Sequence, residues 1–203
     1  MALATDAPQI AAIYAPFCWE TPVSFEVVAP TPDEMAQRIQ KITERMPWLV
    51  LEQGGEIAGY VYASPHRERA AYQWSVDVAA YVSSDFRRQG VGRALHTALF
   101  RLLTLQGYFT AYAGITLPNP ASVGLHEAMG FQPVGVYREV GYKLGAWHDV
   151  AWYHLALQPK QAEPDPPHPI QDVLASVEGN EALTSGLPLY REKKPPEGGS
   201  IPE

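Results

Sequence analysis

The stretch Tyr72–Arg93, YQWSVDVAAYVSSDFRRQGVGR, constrains the fold of this chain more than any other. Tyr72, Trp74, Val76, Val78, Ala80 and Val82 recur at period two, which predicts a strand with one buried face. Ser83-Ser84-Asp85 and Arg87-Arg88-Gln89-Gly90-Val91-Gly92-Arg93 follow as a turn. Val91, Ala94, Leu95, Ala98, Leu99, Leu102 and Leu103 then form the apolar stripe of a helix, which Gly107 is placed to stop. Strand, glycine turn and helix together aim free backbone N–H groups and a positive helix end at an anion, typically a phosphate. The spacing Arg87-x-x-Gly90-x-Gly92 puts residues without a Cβ where a diphosphate could approach the main chain. It is neither the dinucleotide fingerprint G-x-G-x-x-G nor the G-x-x-x-x-G-K-S/T loop.

With 203 residues, 46% of them apolar, the chain can bury one substantial core and carry an appendage. A formal net charge of -7 disfavours nucleic acid and anionic membranes as partners, while leaving room for a local basic patch at Arg87, Arg88 and Arg93. A single cysteine, Cys18, allows no intrachain disulfide and fits a reducing compartment. It has no basic or histidine neighbour in sequence, which counts against an acyl-carrying nucleophile. No histidine pair forms a zinc spacing with it, so no metal is expected. Without a long apolar run or a basic-then-apolar leader, the expectation is a soluble, cytoplasmic protein.

Asp6-Ala7-Pro8 predicts a first helix with Ile10, Ile13, Tyr14 and Phe17 at helical spacing. An aromatic, proline-broken segment (Trp19 to Glu26) follows. Thr31-Pro32-Asp33-Glu34 then reads as N-cap, first-turn proline and capping-box glutamate of a second helix, ending before Pro47. Residues 48–53 and 56–62 make a hairpin through Gly54-Gly55. After the central strand and helix come a strand (Tyr108 to Ile115), a short helix (Ala121 to Met129) and two strands (Phe131 to Val140, Asp149 to Leu157). Gly141 to His148 is expected to be a loop between those two strands. Residues 1–158 form the domain. The tail 159–203 holds nine of the 19 prolines and is expected to be disordered, with a strap across the body or a neighbouring subunit as the alternative.

The Arg87-x-x-Gly90-x-Gly92 turn resembles the acetyl-CoA pyrophosphate loop of the GNAT N-acetyltransferases, and the element order is similar to that fold. The match extends to Ile13-Tyr14-Ala15-Pro16-Phe17, to Asn119–Phe131 and to Gly141–Val150, most like the phosphinothricin and methionine sulfoximine acetyltransferases. The resemblance covers about residues 5–157. It implies an α/β fold with a central, mostly antiparallel twisted sheet flanked by helices. It also implies direct acetyl transfer from acetyl-CoA to the α-amino group of a small amino acid or analogue, by a homodimer.

Residue by residue, the resemblance puts the proton-accepting carboxylate at Asp77, where the family has glutamate. It makes His126 the second acid–base candidate. Backbone groups of Tyr81, Val82 and Ser83 would pair with the pantetheine amides. Arg87, Arg88, Gln89, Gly90, Val91, Gly92 and Arg93 would hold the pyrophosphate, with Asn119 and Ser122 near the pantetheine arm. Arg67 and Arg69 would meet the substrate carboxylate, and Trp19, Phe25, Lys143 and Trp147 would line or close the pocket. Bland readings remain for each: a strand-end carboxylate paired with an arginine, a helix histidine satisfied by a carbonyl, solvated arginines, core aromatics. Two other functions stay open, a GNAT enzyme for another small amine or a peptide N-terminus, and a non-catalytic acetyl-CoA-binding module.

Overall fold

The computed structural model describes residues 1–192. Six strands form one sheet in the order β1-β2-β3-β4-β6-β5. They are β1 (Trp48–Gln53), β2 (Glu56–Pro65), β3 (Ser75–Val82), β4 (Thr110–Thr116), β5 (Gln132–Lys143) and β6 (Ala146–Ala156). Every neighbouring pair is antiparallel except β3 and β4. Helices α1 (Ala7–Trp19) and α2 (Pro32–Thr43) lie on one side of the sheet, and α3 (Val91–Gln106) and α4 (Pro120–Ala128) on the other. The α2 start is the expected capping box: Thr31 accepts from the Glu34 N–H, and the Glu34 carboxylate accepts from the Thr31 N–H at 2.7 Å.

Alternation along β3 sorts its side chains between two cores. Val76 and Val78 are buried against Leu95, Leu99 and Leu102 of α3. Asp77 and Tyr81 point the other way, and the Tyr81 ring packs edge-on to Tyr14 and Phe17 of α1. The strand starts three residues later than its period-two pattern predicts, because Ala70–Tyr72 turn as a 3₁₀ segment before it.

The expected loop at Gly141–His148 is instead the end of a long hairpin. β5 and β6 stay paired to Lys143↔Ala146, around a turn in which Leu144 and Gly145 have φ of 51° and 78°.

The proline-rich stretch is ordered through residue 192 and lies across α3, so disorder does not describe this part of the tail. α5 (Ile170–Leu174) and α6 (Val177–Thr184) place Ile170, Val173 and Ala182 in the main core. Helices this short are marginal alone, and docking onto α3 supplies what propensity does not. The buried Gln106 side chain ties the arrangement together by donating to the carbonyls of Arg45 and His168 at 2.8 and 2.7 Å. The expectation for 193–203 lies outside the described residues.

Candidate active site

β3 and β4 are in register only at Ser75↔Thr110, Val76↔Ala111 and Asp77↔Tyr112. Beyond Asp77 the two strands part, leaving a wedge whose wall is the far half of β3. Hydrogen bonds from His66 N to Ser75 O and from Ser83 N to Ala58 O fix the alternation on the β2 side. Odd-numbered β3 residues, Tyr81 and Ser83 among them, therefore direct their main chains at β2, and even-numbered ones at the wedge. Of the backbone groups expected to pair with a pantetheine arm, Val82 faces the open side and Tyr81 and Ser83 do not. Ala80, missed in the sequence, joins Val82. Only the parity of the β2–β3 register could have revealed it.

At the end of this wall Gly90 adopts φ +84° and caps α3. Arg88 also has positive φ, 64°. Val91, Gly92 and Arg93 are the first three helical residues and have no intrahelical acceptor. Among the described residues the N–H groups of Arg88, Gln89 and Gly90 have no acceptor either. The result is a run of free donors at a positive helix end, flanked by the exposed side chains of Arg87, Arg88 and Arg93. The two glycines also answer a packing demand that their spacing does not report. A Cβ on Gly90 would come within 2.2 Å of the Leu189 carbonyl oxygen, and one on Gly92 within 3.0 Å of the Leu125 side chain. Their missing side chains make room for the tail and for α4. The tail is also bonded here, Arg191 N donating to Gln89 O at 2.8 Å.

Where the strands part, the His66 Nδ1 donates to Asp77 Oδ1 at 2.6 Å, and Arg67 Nη1 lies 4.0 Å from Asp77 Oδ2. Burial pushes the Asp77 carboxyl above its ordinary pKa, opposed by His66 and then Arg67. The His66 ring is stacked on Tyr112 of β4 with centroids 4.3 Å apart.

His126 lies on the opposite side of the sheet. Its Nδ1–H donates to Ser122 O at 2.8 Å, and its ring packs edge-on to His96 and Phe131. Burial lowers its pKa, and the Ser122 carbonyl partly restores it. Asp77 and His126 thus do not meet, and the second acid–base candidate sits as a helix histidine satisfied by a carbonyl. His96 is wholly buried beside it, with its pKa pushed down to about 4 by burial; its Nδ1 bonds the Gly92 carbonyl at 2.8 Å, beneath the first turn of α3.

The remaining candidates divide. Asn119 caps α4 through its Oδ1, which accepts from Ser122 N at 3.1 Å. Arg67 and Arg69 line a cleft of about 810 Å³ between α2, β2 and the 65–75 loop, with Tyr62, Ser64 and Tyr72. Lys143 is not available to a substrate. It is buried, and its Nζ donates to the carbonyls of Phe17, Ser24 and Glu26 at 3.2, 2.5 and 2.9 Å, tying the hairpin to the end of α1. Phe25 lies over Gly141, where a Cβ would be 2.2 Å from its ring. Trp19 and Trp147 are exposed and outside that cleft. Cys18 is buried, and burial raises its thiol pKa, the opposite of nucleophile activation. Among the described residues no group of three or more His, Cys, Asp or Glu could hold a metal ion, and no helix is long and apolar enough to cross a membrane.

Residues 2–152 match the family described as the acetyltransferase (GNAT) domain. A phosphinothricin N-acetyltransferase of Streptomyces viridochromogenes is 37% identical over 172 residues, covering 85% of this chain and 92% of that protein. An L-methionine sulfoximine/L-methionine sulfone acetyltransferase of Pseudomonas aeruginosa is 32% identical over 164 residues, 78% of this chain and 94% of that one. Among solved structures, a GNAT phosphinothricin acetyltransferase from Sinorhizobium meliloti in complex with AcCoA superposes with a TM-score of 0.76 at 34% identity, over 81% of this chain and 90% of that chain. A sheet that opens beside a turn of free main-chain donors, on a chain whose residues 2–152 match the family, makes this protein a member of the GNAT acetyltransferase family.

Proposed function

We propose that the protein is an acetyl-CoA-dependent N-acetyltransferase that acylates the α-amino group of a small amino acid or analogue of the phosphinothricin and methionine sulfoximine kind. The observation that carries this reading is the wedge, with its free donors at one end and the Asp77 carboxylate at the other. The donors of residues 88–93 suit a diphosphate, which accepts several N–H bonds at once. The edge of β3 at Ala80 and Val82 suits the pantetheine amides, which pair with it as an added strand would. The thioester then reaches the end of the wedge near Asp77. Arg67 and Arg69, in the adjoining cleft, suit the substrate's carboxylate.

The bond-making step is attack of a neutral amine on the thioester carbonyl, so the site must first take a proton from the ammonium form. The reading extends to a homodimer. Val134, Tyr137 and Val140 on the edge strand β5, with Tyr142 and Trp147 at its turn, are exposed apolar side chains of the sort a second copy would cover. Residence in the cytoplasm is part of the same reading, in keeping with the single free cysteine.

The test is thiol release from acetyl-CoA across a panel of amino acids, analogues, simple amines and short peptides. Release confined to phosphinothricin, methionine sulfoximine and related α-amino acids is the expected result. Release with peptide N-termini instead would move the substrate class. Acetyl-CoA binding without release under any amine would leave a non-catalytic binding module.

A further inference from the structure

We propose that the imidazole of His66, aimed by the Asp77 carboxylate, is the group that takes the proton from the attacking amine. This rests on the acetyltransferase reading and names the residue that performs its proton transfer. Three observations carry it.

The first is the hydrogen bond itself. Asp77 accepts from Nδ1–H at 2.6 Å, which fixes the tautomer and leaves the Nε2 lone pair as the acceptor. Among the described residues Nε2 has no hydrogen-bond partner, although the side chain is only 13% exposed. The second is position. Asp77↔Tyr112 is the last β3–β4 pair before the strands part, and His66 is stacked on Tyr112 and edge-on to Trp152 of β6. The ring therefore bridges from β3 to β4 at the closed end of the wedge. The third is the occupancy of Asp77. Oδ1 is hydrogen-bonded to His66 at 2.6 Å, and Oδ2 lies 4.0 Å from Arg67 Nη1, beyond hydrogen-bond range but within the field of its charge, so the carboxylate's one strong partner is the imidazole.

The charged and titratable groups facing His66 are Asp77 on β3, Arg67 beside it in the chain, Tyr72 on the preceding 3₁₀ turn and Tyr112 on β4. Arg67 Nη1 also donates to the His66 carbonyl at 2.7 Å, which steadies the backbone of the loop.

The step balances as follows. His66 Nε2 takes one proton from the substrate ammonium and later passes it to solvent. The amine lone pair forms the N–C bond at the thioester carbonyl. The C–S bond breaks with its electron pair on sulfur, and the second N–H proton goes to that thiolate. An ammonium and a thioester thus give an amide, a thiol and one released proton. His66 is the catalytic residue and Asp77 a positioning residue, as in other carboxylate–imidazole pairs.

The test compares wild type, His66→Gln, His66→Ala and Asp77→Asn in the thiol-release assay over pH 5.5–9.5, with acetyl-CoA dissociation constants measured in parallel as the check on folding. His66→Gln is expected to lose about two to three orders of magnitude in kcat/KM, to keep its acetyl-CoA Kd within about twofold of wild type, and to lose the acidic limb of the pH profile. Added imidazole should restore part of the activity of His66→Ala, a result that a structural role would not produce. Asp77→Asn should retain more activity than His66→Gln and keep an acidic limb, since the imidazole is still present but less firmly aimed.

The proposal is overturned if His66→Gln keeps wild-type kcat/KM, or if Asp77→Asn is the more damaged variant with the acidic limb intact in His66→Gln. In that case Asp77 is itself the base. If wild type releases no thiol with any amine, the acetyltransferase reading fails and this proposal falls with it. If wild type is active and the His66 variants are unaffected, only the proposal falls.

Discussion

The two ends of β3 are built from different material. At the Gly90 end the chain offers main-chain N–H groups, and the nearby arginine side chains lie in solvent. At the Asp77 end it offers side chains, held by one hydrogen bond, one stack and one guanidinium. A site made of backbone depends on the path of the chain and tolerates changes of side chain that leave the path alone. A site made of side chains depends on single atoms. The same mutation size should therefore have opposite consequences at the two ends.

The largest effect is expected at the Asp77 end. If His66 and Asp77 act as a unit, the double variant His66→Ala/Asp77→Ala should lose about as much kcat/KM as the worse single variant, roughly two to three orders of magnitude, without the two losses multiplying. Steady-state kinetics of the three variants checks this. Multiplying losses would mean that the residues act independently.

Next in size is the response of the opposite face to acid. His96 is buried and neutral beneath the first turn of α3, with its pKa lowered from 6.5 to about 4, and that of His126 is lowered too. A histidine whose folded pKa is depressed leaves stability whole above 6.5, and drains it as pH falls through that value toward the folded pKa. For His96 alone this amounts to about 3 kcal/mol by pH 4. Urea melts from pH 8 to pH 4.5 should show it, and His96→Phe should flatten the slope. An unchanged slope would remove His96 from the acid response.

Smaller effects should separate backbone from side chain at the Gly90 end. Gly90→Ala introduces a Cβ at φ +84° and against the Leu189 carbonyl, so the turn and the tail must shift. Its acetyl-CoA Kd should rise by about tenfold. Arg88→Ala removes an exposed charge and should raise Kd only about threefold, less at high salt. Titration calorimetry at two salt concentrations measures both. Equal losses, or a larger one in Arg88→Ala, would mean that the site is made of side chains after all.

The backbone end was the more legible in the sequence. Period-two and helical spacings marked β3 and α3, and Gly107 marked the helix stop, where φ is 94°. The packing demand on Gly90 was hidden, because the Leu189 carbonyl that fills the space beside it comes from the far end of the chain. His66 was hidden for a similar reason. Eleven residues separate it from Asp77, and the antiparallel register Ser64↔Asp77 brings them together, which no local spacing reports. Lys143 read as a pocket residue because its three carbonyl partners belong to α1 and the loop after it, over a hundred residues away. The turn at Leu144-Gly145 escaped notice since a leucine at positive φ carries no signal in sequence. In the tail, Ile170, Val173 and Ala182 are too sparse for a periodicity to stand out, and only the α3 surface they dock on gives them helices.

The division of labour along β3 is tested most directly by a crystal structure with acetyl-CoA bound, in which the distances from the diphosphate oxygens to the main-chain nitrogens of residues 88–93 are measured. The expected result is several of those distances within hydrogen-bond range, the pantetheine amides paired with Ala80 and Val82, and the thioester at the end of the wedge facing His66 Nε2. A diphosphate held by arginine side chains away from those nitrogens, or a thioester on the His126 side of the sheet, would contradict it.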